Sequence, residues 1–557
     1  MSSFRSRYRV PRDNGRWKNY HRPVPSHRHS GPSAPWPWID VHDEVDKRQL
    51  ESTLPPIPEL CDHTICGGCW RNYPQSRFPN WTVSQQRRSA IYDIIHESTE
   101  NAPCVIYHVD VDTKGEFQDA GMLSVTRETQ EEFWELLVNS QRPEQTRVRA
   151  LFVEHMSGPV LQMLGAKYNI EPFFFSSSSN WIPSRFQEEV RVDKGDHITV
   201  ILTFLRSVEG NLSSVISKAS TDATKLNEVL NTQAPLYLSS GDGCYLVLDL
   251  LAVHLIRDEH NNTLISYHHT DPDSSSGAAY LHERIRFAGQ SVYWQHIFQR
   301  SPDPTFLLLC FIWHSMYSWD EALEVLYNHI IFMEMRIMRS TDMEMTRGLH
   351  FIRAHLLHYG SLLGDMKKSV QFILGTPNPT MNSLPAEEQL FSRKLLEKEC
   401  NHLLIEIERL EMQLQMQDHR LKNVMNLVFS TVNIQDSSRM QELSEAAVRD
   451  SAAMKQIAYL TMVFLPASYI ATVFGMNVTQ FTSESHFSVS IYISVAVPLT
   501  IATVWVVMTV QSKYFQGRKT SFWMRLGWPV LLVKKMLGFN EPREVIPSNE
   551  WPFSRGA

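Results

Sequence analysis

Two stretches of this 557-residue chain carry side chains whose types and spacing can do chemistry. Residues 61–69 read CDHTICGGC and bring Cys61, His63, Cys66 and Cys69 into nine positions, a C-x-x-C knuckle with two further zinc-type ligands. Structural zinc sites usually take two ligand pairs from separated segments, and no second pair follows downstream. Loop thiols in a poorly ordered region are therefore the ordinary reading of this cluster, and zinc is the alternative. Residues 455–477 read KQIAYLTMVFLPASYIATVFGMN and carry no charged side chain from 456 to 474. As an α-helix those residues span roughly 28 Å, close to the ~30 Å of bilayer hydrocarbon, and the stretch ends in a polar turn, Gly475-Met476-Asn477. A third grouping, His268, His269, Asp271 and Asp273, falls in a Ser/Asp-rich stretch where solvation is the ordinary explanation. The sequence has no phosphate-cradling Gly-rich loop, nucleophile elbow or H-E-x-x-H, so an enzyme is not expected.

The apolar stretch needs partners. A second uncharged run, 487–512, is long enough to cross back, and Pro498 inside it is tolerable where a neighbouring helix satisfies the freed carbonyl. Two spans cannot build a pore in one chain, so any conduction requires several copies around one axis. Arg449 and Lys455 precede the first span and Lys513, Arg518, Lys519 and Arg525 follow the second, whereas 478–486 has no Lys or Arg. Positive residues stay on the cytoplasmic side, which predicts both termini inside and a short outer loop, 475–486. The basic cytoplasmic tail, 513–557, contains a stretch, 522–539, that reads as an interfacial anchor.

Ahead of the spans, Leu396, Leu403, Leu410, Gln417 and Val424 recur every seven residues, with Cys400, Ile407, Leu414, Leu421 and Val428 four positions later. This a/d seam predicts a stalk helix over 387–455, packed along another helix, with an amphipathic helix lying on the globular domain as the alternative. A helix continuous from 387 to 474 would extend about 130 Å, and the polar segment 433–438 is a candidate bend. GTPNPTMNSLP, 375–385, reads as the linker that ends the globular domain. Residues 89–380 predict an α/β cytoplasmic domain, a mixed sheet covered by helices. Apolar runs at 104–111, 148–153, 197–205, 245–256 and 264–268 read as strands, and 131–138, 159–168 and 319–339 as helices.

Residues 1–88 read as a disordered basic arm, rich in Pro, Arg, Ser and His without sustained periodicity. No apolar core follows its arginines, which excludes a secretory signal, and its prolines and Trp36-Pro37-Trp38 break the amphipathic helix of a mitochondrial presequence. The formal charge of the whole chain is -7, and no nucleic-acid partner is expected. Seven cysteines without a dense framework fit reduced thiols in the cytosol.

Thr461, Phe464 and Pro466 in a T-x-x-F-x-P pattern, the Gly475-Met476-Asn477 end, the short outer loop and the basic residues after the second span together resemble the CorA metal-ion transporter family. Residues 180–185, NWIPSR, look similar to its fungal CorA-like magnesium transporters. The resemblance implies a homopentamer in the lipid bilayer whose first span lines the pore, with Mg2+ as the transported ion and no cofactor required. It also implies divalent-ion sites between cytoplasmic domains that close the pore, although no acids of this sequence can be assigned to them. The expected membrane is the plasma membrane. Mg2+ dehydrates reluctantly, and a ring of Asn477 amides can offer carbonyl oxygens to its waters without stripping them.

Helical spacing back from Gly475 then proposes a pore wall of Thr472, Ser468, Leu465, Thr461, Ile457 and Met454. Leu465, Ile457 and Met454 would form dry constrictions, and the hydroxyls would help hydrated ions pass, unless they serve helix packing alone. Glu484 is the one acid of the outer loop and would concentrate cations, or is simply solvated. Val478 stands where the family often has an aromatic, which leaves Zn2+, Co2+ and Ni2+ as competing cargo. The alternatives to Mg2+ uptake are a Zn2+-preferring transporter and a membrane-anchored CorA-like interaction protein without transport.

Overall fold

Apolar and β-branched runs separated by polar turns form one mixed sheet: β1 (Cys104–Asp112), β2 (Phe117–Val125), β3 (Thr146–Glu154), β4 (Ser184–Gln187), β5 (Asp196–Glu209), β6 (Leu236–Leu238), β7 (Cys244–Arg257) and β8 (Asn262–His268). The computed structural model describes residues 47–53, 55–56, 58–89, 91–96, 103–139, 142–188, 195–209, 231–238, 243–259, 261–268, 277–337, 343–476 and 489–511, together with Gly527 and Val530. The chain divides into two compact units, 1–431 and 432–557.

In the first unit the strand order is β2-β1-β3-β8-β7-β5-β4, with β6 also on β7. Only β3 and β8 pair in parallel; the other pairs are antiparallel. β7 is buried at every position from Leu246 to Arg257, as a strand covered on both faces must be. Its partner β5 shows the two layers. Phe204 of β5 meets His314 of helix α9 (Thr305–Ile337), whereas Thr199, an odd number of residues away and so on the opposite face, pairs with His254, which packs on Phe174 of helix α6 (Phe173–Ser179). Helix α7 (Ala278–Gly289) covers the β1–β3 end and is followed by α8 (Val292–Arg300).

The five strands expected from the sequence are present within a few residues of their expected bounds. β2, β4 and β6 are additional. β2, FQDAGMLSV, is an edge strand largely exposed between its ends, so it lacks the apolar run that marks the others. Helix α9 begins at Thr305 rather than 319, because TFLLLCFIW is apolar on all sides and shows no period to read. Helix α10 (Met343–Gly375) follows it.

Residues 58–89 depart from the expected disordered arm. Trp70 in a 3-10 turn at Cys69–Asn72, Tyr73 just after it and Trp81 just before helix α2 (Val83–Arg88) are all buried. Tyr73 donates its hydroxyl to the Ile170 carbonyl at 2.6 Å, and Gln162 of helix α5 (Gly158–Lys167) donates to the carbonyls of Arg71 and Tyr73 at 3.1 and 3.0 Å. Aromatic anchors spaced too irregularly to make a period hold this segment on the domain. Residues 1–46 lie outside the described residues.

The expected linker is a tight turn rather than a spacer. Thr376 and Asn378 are buried, Asn378 donates to Asp303 at 3.1 Å, and a 3-10 turn at Pro379–Ser383 leads into helix α11 (Ala386–Gly475). All ten heptad positions from Leu396 to Val428 are buried. Their partners are helices of the same chain: Gln417 donates to the Leu323 carbonyl of α9 at 2.7 Å, Arg420 pairs with Glu334 at 2.6 Å, and Lys367 of α10 pairs with Glu411 at 3.0 Å. This seam is thus the amphipathic face of a helix lying on its own α/β unit. Residues 433–438, the candidate bend, are continuous helix.

Candidate ion pathway and metal-ligating cluster

In the second unit the apolar end of α11 and helix α12 (Val489–Gln511) are each long and apolar enough to cross a membrane. They pack through Pro466 and Ile470 of α11 and Ala496 of α12, all buried. Tyr492 donates its hydroxyl to the Ala467 carbonyl at 3.1 Å, which satisfies a phenol that hydrocarbon would otherwise leave unpaired. Pro466 therefore faces the neighbouring helix, where a small rigid residue permits close approach.

Met454, Ile457, Thr461, Leu465, Ser468 and Thr472 are exposed in the single chain. At about 100° per residue they fall on the face of α11 opposite Pro466 and Ile470. None is charged. Each hydroxyl is tied to its own helix: Thr461 to the Ile457 carbonyl at 2.8 Å, Ser468 to Leu465 at 3.0 Å and Thr472 to Ser468 at 2.8 Å. With the proton spent on the backbone, each oxygen keeps lone pairs that accept from water, and waters around a cation point their hydrogens outward. Gly475 ends α11 in open space, where an added Cβ would meet nothing within 4 Å, and the Met476 amide donates to the Val473 carbonyl at 3.3 Å. Asn477 and Glu484 lie outside the described residues.

In the first unit, Cys61, His63, Cys66 and Cys69 come together, with one ligand atom from each within 4.8 Å of the others. His63 Nδ1 lies 3.4 Å from Cys69 Sγ and 3.8 Å from Cys66 Sγ. The His63 ring meets Trp134 of helix α4 (Gln130–Asn139) edge-on at 5.4 Å. Burial, and then the neighbouring Cys66 and Cys61 sulfurs, push the Cys69 thiol up to about 12.

A second group was not singled out in the sequence. His197 lies 3.2 Å from Glu188 and 3.3 Å from His254 Nε2, and His254 Nδ1 lies 2.8 Å from Thr199 Oγ1. Both nitrogens of His254 are thus engaged, and burial lowers its pKa to about 3. This chain of contacts borders a cleft of about 830 Å³ that also meets Glu171, Lys167 and Arg149. Glu188 and the two histidines come from positions nine and fifty-seven residues apart, and the β4–β5 and β5–β7 pairings bring them together. His268 ends strand β8, buried and hydrogen-bonded to Ser266 Oγ at 2.8 Å, whereas His269, Asp271 and Asp273 lie outside the described residues.

The last helix of the α/β domain continues into an apolar stretch and a second apolar helix follows, each long and apolar enough to cross a membrane. Residues 247–511 match the family model described as CorA-like Mg2+ transporter protein. Among solved structures, the complete CorA magnesium transporter from Methanocaldococcus jannaschii is 14% identical with a TM-score of 0.36, covering 73% of this chain and 98% of that one. The soluble domain of the same protein is 14% identical with a TM-score of 0.36, over 58% of this chain and 96% of its own. The full-length CmaX protein is 13% identical with a TM-score of 0.34, over 73% and 98%. No curated protein matches the chain.

Proposed function

We propose that this chain is the subunit of a passive divalent-cation channel, with Mg2+ as the favoured cargo. It works as a homopentamer whose first spans, 456–474, surround the conduction path. The observation that carries this reading is the uncharged stripe from Met454 to Thr472, exposed on the face of α11 that turns away from α12. Copies of the same chain around an axis would cover that stripe and make it a pore wall. Leu465, Ile457 and Met454 act as constrictions that dewet, and the back-bonded hydroxyls of Thr461, Ser468 and Thr472 accept from the ion's hydration shell. Gly475, Met476 and Asn477 form the outer filter, where amide oxygens contact the waters of Mg2+ without replacing them. Glu484 raises the local cation concentration at the mouth. An inward-negative potential of 100 mV favours each entering Mg2+ by about 4.6 kcal/mol, so no nucleotide is needed.

The test is ion-selective uptake by purified protein in vesicles, with Asn477→Ala as the comparison. Mg2+ flux that the wild type supports and Asn477→Ala abolishes fits the reading. Equal flux in a well-incorporated Asn477→Ala sinks the filter. A wild type that assembles but carries no ion is the interaction protein instead, and one that carries Zn2+ in preference to Mg2+ is the zinc transporter.

A further inference from the structure

We propose that Cys61, His63, Cys66 and Cys69 form a closed structural Zn2+ site that clasps residues 58–89 onto helices α4 and α5. The site is independent of the transport reading and lies in the other compact unit.

Distance is the first argument. Zn–S bonds near 2.3 Å and Zn–N bonds near 2.0–2.1 Å at tetrahedral angles put ligand nitrogen and sulfur about 3.6 Å apart and two sulfurs about 3.8 Å apart. The His63 Nδ1 distances to Cys69 Sγ and Cys66 Sγ, 3.4 and 3.8 Å, bracket the first value, and all four ligand atoms lie within 4.8 Å. Among the described residues, the other group of three or more such side chains is Glu188, His197 and His254, and there hydrogen bonds already occupy both imidazole nitrogens of His254.

The donors set the metal. Three thiolates and an imidazole are a soft set suited to Zn2+ and unsuited to Mg2+ or Ca2+, which take oxygen. Four protein ligands complete the tetrahedron and leave no open position, so the role is structural rather than hydrolytic or conductive. Three thiolates around Zn2+ leave one net negative charge.

The surroundings hold the ligands in place. Trp134 of α4 meets the His63 ring edge-on at 5.4 Å and so fixes the plane of the imidazole. Gly68, between Cys66 and Cys69, has a φ of 90°, so the knuckle turns through a conformation that suits glycine. Immediately after the last ligand, Trp70 is buried and Arg71 pairs with Glu131 of α4 at 2.8 Å. A metal here thus fixes the short loop from which Trp70 and Arg71 reach the domain. Structural zinc sites usually take two ligand pairs from separated segments, whereas here one segment brings four donors together within nine residues.

The experiment uses the full chain purified in detergent without added metal and dialysed against a weak chelator. Zinc per chain is measured by mass spectrometry of the elements for wild type, Asn477→Ala and Cys66→Ser/Cys69→Ser. About one equivalent in wild type and in Asn477→Ala, with a loss of at least roughly fivefold in the double variant, is the expected result. Keeping Asn477→Ala in the set separates this zinc from cargo held at the pore. Should the double variant not fold, two measurements on wild type decide. Exchange with Co2+ should give the absorption of a tetrahedral, thiolate-ligated ion, and three cysteines should resist alkylation until a strong chelator is added. Wild type that is folded yet carries no zinc, gives no such cobalt spectrum, or contains a disulfide between two of these cysteines overturns the proposal.

Discussion

Asp196, the first residue of β5, and Arg257, the last of β7, are register partners whose side chains are both fully buried, with Arg257 Nε donating to Asp196 Oδ1 at 2.6 Å. The same guanidinium donates to the Thr376 carbonyl at 3.0 Å and to Thr305 Oγ1 at 3.4 Å. One buried cation therefore ties the two longest strands to the start of α9 and to the turn between α10 and α11. Gly195 precedes the pair with a φ of 73°, and a Cβ there would sit 1.6 Å from the Arg257 carbonyl oxygen.

Breaking this pair on one side should be costly. Asp196→Ala leaves a buried guanidinium uncompensated and is expected to lower stability by about 3–5 kcal/mol. Denaturant midpoints of the full chain in detergent check it. The double replacement Asp196→Leu/Arg257→Met should recover most of the loss, because it removes both charges together. A single variant within about 1 kcal/mol of wild type contradicts the assignment.

Gly165 of α5 lies against the Tyr73 ring, where an added Cβ would stand 2.3 Å from the ring carbon that bears the hydroxyl. Gly165→Ala should therefore overpack the junction by about 1–3 kcal/mol and loosen residues 58–89 before the sheet. Limited proteolysis should show earlier cleavage in that segment than in wild type, with the sheet domain still protected. Unchanged cleavage would mean the segment is not held there.

Stability should fall on mild acidification. Burial lowers His254 to about 3 and His108, His314 and His329 to about 4, against an unfolded value near 6.5. Between those values the unfolded chain binds more protons, so stability rises with pH through this window and is lost as pH drops from about 6.5 towards 4. Each histidine contributes a slope of about 1.4 kcal/mol per pH unit there. Urea titrations across that range measure it, and His329→Phe should reduce the slope by roughly one histidine's share.

Leu465 lies on the exposed stripe, and Leu465→Ser should hydrate the proposed constriction and raise Mg2+ flux severalfold in vesicles. Flux equal to wild type at equal incorporation would remove Leu465 from the gate.

Periodicity along the chain was enough to read five strands, the heptad positions and two apolar spans, because alternation, the 3.5-residue repeat and absence of charge are written locally in the residues. The same repeat could not say which surface it meets. Leu396 through Val428 would look alike in a stalk paired with another chain and in a helix lying on α9 and α10, and only tertiary packing selects the second. The Cys61–Cys69 spacing likewise names four donors, but their closeness depends on Trp70 and Tyr73 finding a bed on α5 and on Trp134 closing over His63.

For the apolar span, sequence alone determined the stripe from Met454 to Thr472, since a helix of known pitch dictates which residues share a face. The tertiary structure decided that the opposite side, with Pro466 and Ile470, is buried together with Ala496 of α12. That choice depends on which face of α12 fits against α11 with Tyr492 reaching the Ala467 carbonyl, a match between two separate helices that no local pattern contains.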